Sequence, residues 1–239
     1  MNRELSPEAT ELGGHARRAL AAAGPDAEAS EAALGALGAW ELDVHAGADE
    51  LEAAAAICHA AGWWATPYPV AERLAPAGDH LDDAIAIVLP CWTLLGMLDR
   101  AVDLACERAR QREQFGRPLA DLQGVQFMLT EAEVERAGVD ELARFALWSI
   151  ETARPDMIED ALALRVAAID AARVVFRVAH QVHGASGFCD DTEVSWLSRR
   201  SEPLRREPLG GAATLAALTA RAGRRGITGL FTGETARRS

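Results

Sequence analysis

Three stretches of this 239-residue sequence repeat apolar side chains every three or four positions over about 25 to 30 residues each. Any fold has to give each stretch a partner for its apolar face. The first runs from Asp83 to about Gln111 through Leu89, Leu94, Met97, Ala101, Leu104, Ala105 and Arg108. The second runs from about Leu122 to Glu151 through Val125, Met128, Leu129, Ala132, Leu142, Phe145 and Ala146. The third runs from about Met157 to His183 through Leu162, Val166, Ile169, Val175, Phe176 and Val182. Short loops join them, so an antiparallel bundle is expected, completed by a fourth helix near Gly211 to Ala222. β-branched residues are sparse and no strict polar/apolar alternation runs for six residues, which makes the expected fold all-α. Pro67, Pro69, Pro76 and Gly78 interrupt the stretch from Trp63 to Asp82 and mark a boundary. Before it, Ser6-Pro7 reads as the cap and first position of a helix running toward Gly24-Pro25. Asp49-x-x-Glu52 reads as a capping box for a helix ending at Gly62. The expected organisation is a helical segment over 1–82 and a four-helix bundle over 83–239.

Charge and composition exclude several chemistries. A net charge of -12 argues against binding a phosphate backbone, so no nucleic-acid partner is expected. All 24 basic residues are Arg, which removes Schiff-base lysine chemistry. Cys58, Cys91, Cys106 and Cys189 form no Cys-x-x-Cys pair, so neither a zinc ribbon nor a disulfide framework is signalled, and a reducing cytoplasm is the simple expectation. The opening Met1-Asn2-Arg3-Glu4 is followed by no apolar signal core. The longest apolar run, Ala84 to Leu98, contains Pro90 and stops at Asp99, short of the about 20 residues that span a bilayer, so no membrane is expected.

Two segments organise polar residues around glycine. Arg112-Glu113-Gln114-Phe115-Gly116-Arg117-Pro118, with Gln123 after it, puts an Arg at one helix end, an aromatic in the turn and a Gln at the next helix start. Gln181-Val182-His183-Gly184-Ala185-Ser186-Gly187-Phe188 stops a long helix at a loop with two glycines. Glycine lets a backbone approach a ligand closely and a planar guanidinium suits a phosphate, so both are candidate anion-binding turns. The bland alternative is a surface ion pair for Arg112 and a helix C-cap for Gly184. His180 and His183, at i, i+3 with no third ligand nearby, read as helix-end packing, and no metal site is expected. Trp63-Trp64 reads as core at a domain edge. The Arg pairs at 199–200, 205–206 and 224–225 read as a solvated face.

With both segments in place, the sequence resembles the acyl-CoA dehydrogenase family. Arg112-x-x-Phe115-Gly116-Arg117-Pro118 with Gln123, and Gln181-Val182-His183-Gly184-x-x-Gly187-Phe188 downstream, are similar to two signatures of that family's C-terminal helical domain, in order and spacing. The resemblance covers about Asp83 to Ala222, with a weaker similarity from Leu34 to Leu74. It implies that Arg112, Phe115, Gln123, Gln181, Gly184 and Ala185 meet the adenine-dinucleotide half of FAD, across a subunit interface, in an oxidoreductase that dehydrogenates acyl-CoA thioesters.

Two departures shape the expectation. Family members carry a β-barrel between their two helical domains, and fewer than about twenty residues join Trp64 to Asp82, too few for even six strands. The family's catalytic Glu is also displaced. The matching stretch is Arg205-Arg206-Glu207-Pro208-Leu209-Gly210-Gly211, where the base position falls on Pro208 or Gly210, and Glu207 is a weak candidate. The alternative position on the first long helix falls near Ala86. These departures resemble the small, non-catalytic subunits of heteromeric actinobacterial acyl-CoA dehydrogenases that act on bulky, steroid-type acyl groups. The chain is therefore expected to share FAD with a full-length homologue, or to self-associate through its bundle, and to be inactive alone. The alternative is a flavin-free, catalytically inactive scaffold of the same family.

Overall fold

A computed structural model of the chain describes residues 4–76 and 83–225. The boundary glycine Gly78, the Arg pair's side chains at 224–225 and the end of the bundle segment, 226–239, lie outside the described residues. Among the described residues nine α-helices run in order: α1 Pro7–Ala23, α2 Ala27–Gly35, α3 Ala48–Trp63, α4 Val70–Leu74, α5 Ala84–Gln111, α6 Gln123–Glu151, α7 Met157–His183, α8 Glu193–Arg206 and α9 Gly211–Arg225. The chain is all-α, and its strands among the described residues are the two-residue pieces β1 Glu113–Gln114 and β2 Arg117–Pro118.

Local chemistry sets the long helices. Asp83 caps α5, its side chain accepting from the Ile85 and Ala86 amides at 2.9 and 3.5 Å. Ser6 caps α1 through the Ala9 amide at 3.3 Å, with Pro7 at the first helical position. The expected capping box at Asp49 and Glu52 does not form. Helix α3 starts two residues early, behind Gly47 rather than Asp49, and Glu52 instead accepts from the Ser6 amide at 2.7 Å. That carboxylate links α1 to α3, a tertiary use that local spacing does not reveal. Residues expected to be irregular include the short α4. An additional helix, α8, precedes the expected fourth one and packs on α5 and α7.

Helices α5, α6 and α7 form the centre, with α3 layered on α5, α1 on α3, and α9 on α7. One apolar core is continuous from Leu20 and Leu34 through Leu51 and Ile57 to Leu98, Leu162 and Leu197. Each fully buried Leu contributes about 1.5–3 kcal/mol by leaving water. Glycine permits the tightest contact. A Cβ at Gly96 would overlap the His59 carbonyl oxygen and lie 2.9 Å from the Trp63 nitrogen, and one at Gly62 would overlap the Thr93 carbonyl oxygen. Backbones of α3 and α5 therefore touch directly, where no side chain fits.

By length and composition α5 passes as a membrane-crossing helix, but 78% of its most apolar window is buried inside the protein, which is what a core helix does. From Leu74 at the end of α4 to Ala84 at the start of α5 there is no room for a barrel domain.

Candidate functional site

Helix α5 ends at Gln111, and the chain turns at once into a hairpin with Glu113 opposite Pro118 and Gln114 opposite Arg117. Phe115 and Gly116 form its two-residue tip with φ of 55 and 77, the pattern of a type I′ turn. Gly116 adopts this freely, whereas a phenylalanine held left-handed costs about 1–2 kcal/mol. The ring is 89% exposed, so burial in this chain does not repay that strain. Strained and exposed aromatics of this kind point to a contact made with something else. The hairpin is tied back by the Leu119 amide, which donates to the Arg112 carbonyl at 2.8 Å.

Helix α7 ends beside the hairpin. Gly184 caps it with φ of 64, its amide donating to the His180 and Gln181 carbonyls, so this glycine is a C-cap whatever else it does. His183 Nδ1 bonds the Ala179 carbonyl at 2.8 Å and His180 stacks on Phe188 at 4.7 Å. Both histidines thus serve the helix end. Burial holds both imidazoles below their ordinary value, and the Arg108 charge adds to this at His183.

Between these two termini lies a cleft of about 440 Å³. Four of the expected residues meet there: Arg112, Gln181, Gly184 and Ala185. Phe115 and Gln123 do not line it; Phe115 stands at the hairpin tip and Gln123 is exposed at the start of α6. Arg112 is exposed and makes no side-chain hydrogen bond or ion pair with the described residues, so the surface ion pair weighed against its role does not form.

Arg108 joins the same wall, and its Nε is buried with no acceptor among the described residues. Nothing in the glycine-centred segments names this residue. Its i, i+4 spacing from Arg112 puts the two side chains on the same wall at the end of α5. Two arginines without carboxylate partners among the described residues, one with a desolvated donor, make the cleft a candidate site for an anion. Those residues fit the pyrophosphate of an adenine dinucleotide, with the Gln181 amide offering a polar contact beside it.

Glu207 lies elsewhere. Its side chain is exposed and does not line the cleft, while its carbonyl accepts from Arg165. Arg165 is 2% exposed and also donates to the Leu209 carbonyl at 2.8 and 3.2 Å, so a buried cation holds the loop where the family's base is expected. Ala86, the alternative position, is buried in α5 and carries no carboxylate. The Arg groups of α8 are met locally: Arg199 by Asp190, Arg200 by the Ala65 carbonyl, Arg205 and Arg206 by Glu202. Trp63 stacks under the Arg17 guanidinium at 3.2 Å, and Trp64 Nε1 donates to the Arg17 carbonyl at 2.8 Å, which fastens α1 to the end of α3.

The family model for the C-terminal domain of acyl-CoA dehydrogenases matches residues 88–213, just over half the chain and both halves of the cleft. The chain belongs to the acyl-CoA dehydrogenase family. Similar curated family relatives include 3-sulfinopropanoyl-CoA desulfinase of Paraburkholderia xenovorans, 38% identical over 44% of this chain and 26% of its own length. Acryloyl-CoA reductase (NADH) of Anaerotignum propionicum is 32% identical over the same shares. The chain thus spans about a quarter of the length of the curated relatives it matches. Among solved structures, butyryl-CoA dehydrogenase of Megasphaera elsdenii shares the fold over 59% of this chain and 37% of its own, with a TM-score of 0.56 and 23% identity. A chain of the ChsE4-ChsE5 complex of Mycobacterium tuberculosis shares it over 95% of this chain and 100% of its own, with a TM-score of 0.78 at 14% identity.

Proposed function

We propose that this acyl-CoA dehydrogenase family chain is a subunit of an FAD-dependent acyl-CoA dehydrogenase, lending the adenine-dinucleotide half of the flavin site to a full-length homologous partner. One observation carries the reading. Among the described residues the side chains of Arg108, Arg112 and Gln181 in the cleft and the strained Phe115 beside it have no polar or ring partner, and no barrel domain is present. Arg112 and Arg108 would bind the pyrophosphate oxygens, Gln181 and Gln123 would orient the tail, and Phe115 would lie against the partner's surface. Acceptance of hydride from the acyl β-carbon is the chemistry FAD supplies when bound. In this reading the α-proton goes to a carboxylate of the partner, because Glu207 does not line the cleft and Ala86 has none.

A heteromer is favoured over self-association by the resemblance of nearly the whole chain to one member of a two-protein complex. The substrate class is an acyl-CoA thioester, and a bulky steroid-type acyl group would explain why one half of the assembly forgoes its own ring-binding site. The division at residue 82 and a cytoplasmic location belong to the same reading.

The second reading, a flavin-free scaffold, is favoured by Ala185, whose methyl group stands in the cleft wall where the family resemblance calls for glycine. Co-expression with a full-length homologue separates the two. A yellow complex whose flavin is lost in Arg112→Ala supports the shared site; a colourless but stable complex supports the scaffold.

A further inference from the structure

A second cleft, of about 560 Å³, opens between α1, α3, α5 and α6 and shares no lining residue with the cleft beside the hairpin. Its volume is that of a small-molecule site. At its floor is Trp92, 3% exposed and edge-on to His59 at 6.3 Å, and its indole Nε1 is buried with no acceptor among the described residues. A desolvated N–H left unpaired is destabilising, and an acceptor seated in the cleft against Trp92 would relieve it.

The charges around it are settled within the protein, with one exception. Asp99 accepts from His59 at 2.7 Å and Arg136 at 3.2 Å, Arg136 also bonds Glu133 at 2.7 Å, and Arg144 bonds Asp140 at 3.0 Å. Arg17 lies over the Trp63 ring and makes no side-chain hydrogen bond or ion pair with the described residues. Burial, followed by the neighbouring Arg100 charge, holds its guanidinium below its ordinary value against the opposing pull of the Asp99 and Asp103 carboxylates. What the cleft leaves unmet is thus two donors, one of them charged. The three acidic residues of the lining, Glu4, Asp99 and Asp140, disfavour a doubly charged phosphate more than a single negative charge.

Helix α1 gives an independent sign. Gly13 is required by packing, since its Cβ would lie 3.0 Å from that of Ala56. Gly14 is not: a Cβ there would meet only the tip of Arg18 at 3.6 Å, although glycine within a helix is disfavoured against alanine. What its bare backbone does is widen the cleft, whose remaining walls include Leu5, Ala56 and Ala60.

We propose that this cleft binds a small monocarboxylate, the carboxylate accepting from Trp92 Nε1 and Arg17 and the apolar body lying against Leu5, Ala56 and Gly14. The test is an indole N–H titration of the ¹⁵N-labelled full chain with acetate, isovalerate and phenylacetate, using phenylacetamide and inorganic phosphate as controls. Trp92→Phe identifies the Trp92 signal by its disappearance. That signal is expected to shift saturably with isovalerate or phenylacetate and to stay in place with the amide and with phosphate. Arg17→Gln should weaken the response about tenfold or more, the worth of one charge-assisted hydrogen bond. Gly14→Leu should abolish it by filling the cleft while the melting temperature holds or rises, which separates blocking from misfolding. A signal that moves with none of the three acids, moves equally with the amide or with phosphate, or still responds in a folded Gly14→Leu protein overturns the proposal.

Discussion

Replacing Phe115 with glycine should raise the stability of the isolated chain and weaken its attachment to a partner, two effects of opposite sign from one substitution. The left-handed phenylalanine costs about 1–2 kcal/mol, and its 89% exposed ring recovers almost none of that within the chain. Glycine removes the strain but adds about 0.4–1 kcal/mol of freedom to the unfolded state. The net gain is about 0.5–1 kcal/mol, or an increase of about 2 °C in the melting point of a chain this size. Burying the ring in a partner is worth about 1.5–3 kcal/mol, so losing it should weaken the complex about 10- to 100-fold. Calorimetric melting of the single chain and titration calorimetry with a full-length homologue read the two effects separately. A fall in the melting point would mean that the ring braces the hairpin itself, and an unchanged affinity would mean that it docks nowhere; either outcome refutes the reasoning.

Gly96→Ala should destabilise by about 1–3 kcal/mol, because its Cβ meets rigid backbone of α3, whereas Gly14→Ala should stabilise by about 1 kcal/mol; paired thermal melts check the contrast. Arg165→Met should cost about 2–4 kcal/mol, as the Glu207 and Leu209 carbonyls lose their buried donor, and urea unfolding measures it. Alkylation followed by mass spectrometry should label exposed Cys189 first and Cys106 slowly. Cys58 and Cys91 should react only on unfolding, since burial raises both thiols, that of Cys91 to about 11. The depressed imidazoles of His180 and His183 favour the neutral form in the folded state. Their contribution is therefore present above the unfolded value near 6.5 and lost as pH falls below it, and a His180→Asn, His183→Asn variant should flatten that limb of the stability curve.

The three central helices were legible because a stripe repeated over seven or eight turns leaves little else to fold into, and their observed ends fall within about one residue of those expected. Helix α8 was not, because it is half as long and its stripe of Val194, Leu197 and Leu204 is thin among charged residues and Pro203; tertiary contacts such as Glu193 to Arg100 at 2.6 Å help hold it. The capping box misled because Glu52 has a better donor 46 residues away in the Ser6 amide. At the cleft, Arg112, Gln181, Gly184 and Ala185 could be found from glycine-centred motifs, but Arg108 could not, since its importance is that its Nε is buried and unpaired. The touching backbones at Gly62 and Gly96 were equally silent, as a helical glycine announces nothing about what it faces.

The central claim, that this chain completes a flavin site it cannot form alone, is tested most directly by the visible absorption of the purified chain, of its complex with a full-length homologue, and of the same complex carrying Arg112→Ala. The account predicts a colourless chain, a complex with a flavin band, and a variant complex that assembles but loses the band on gel filtration. A flavin band in the chain by itself, or one that the substitution leaves intact, would contradict it.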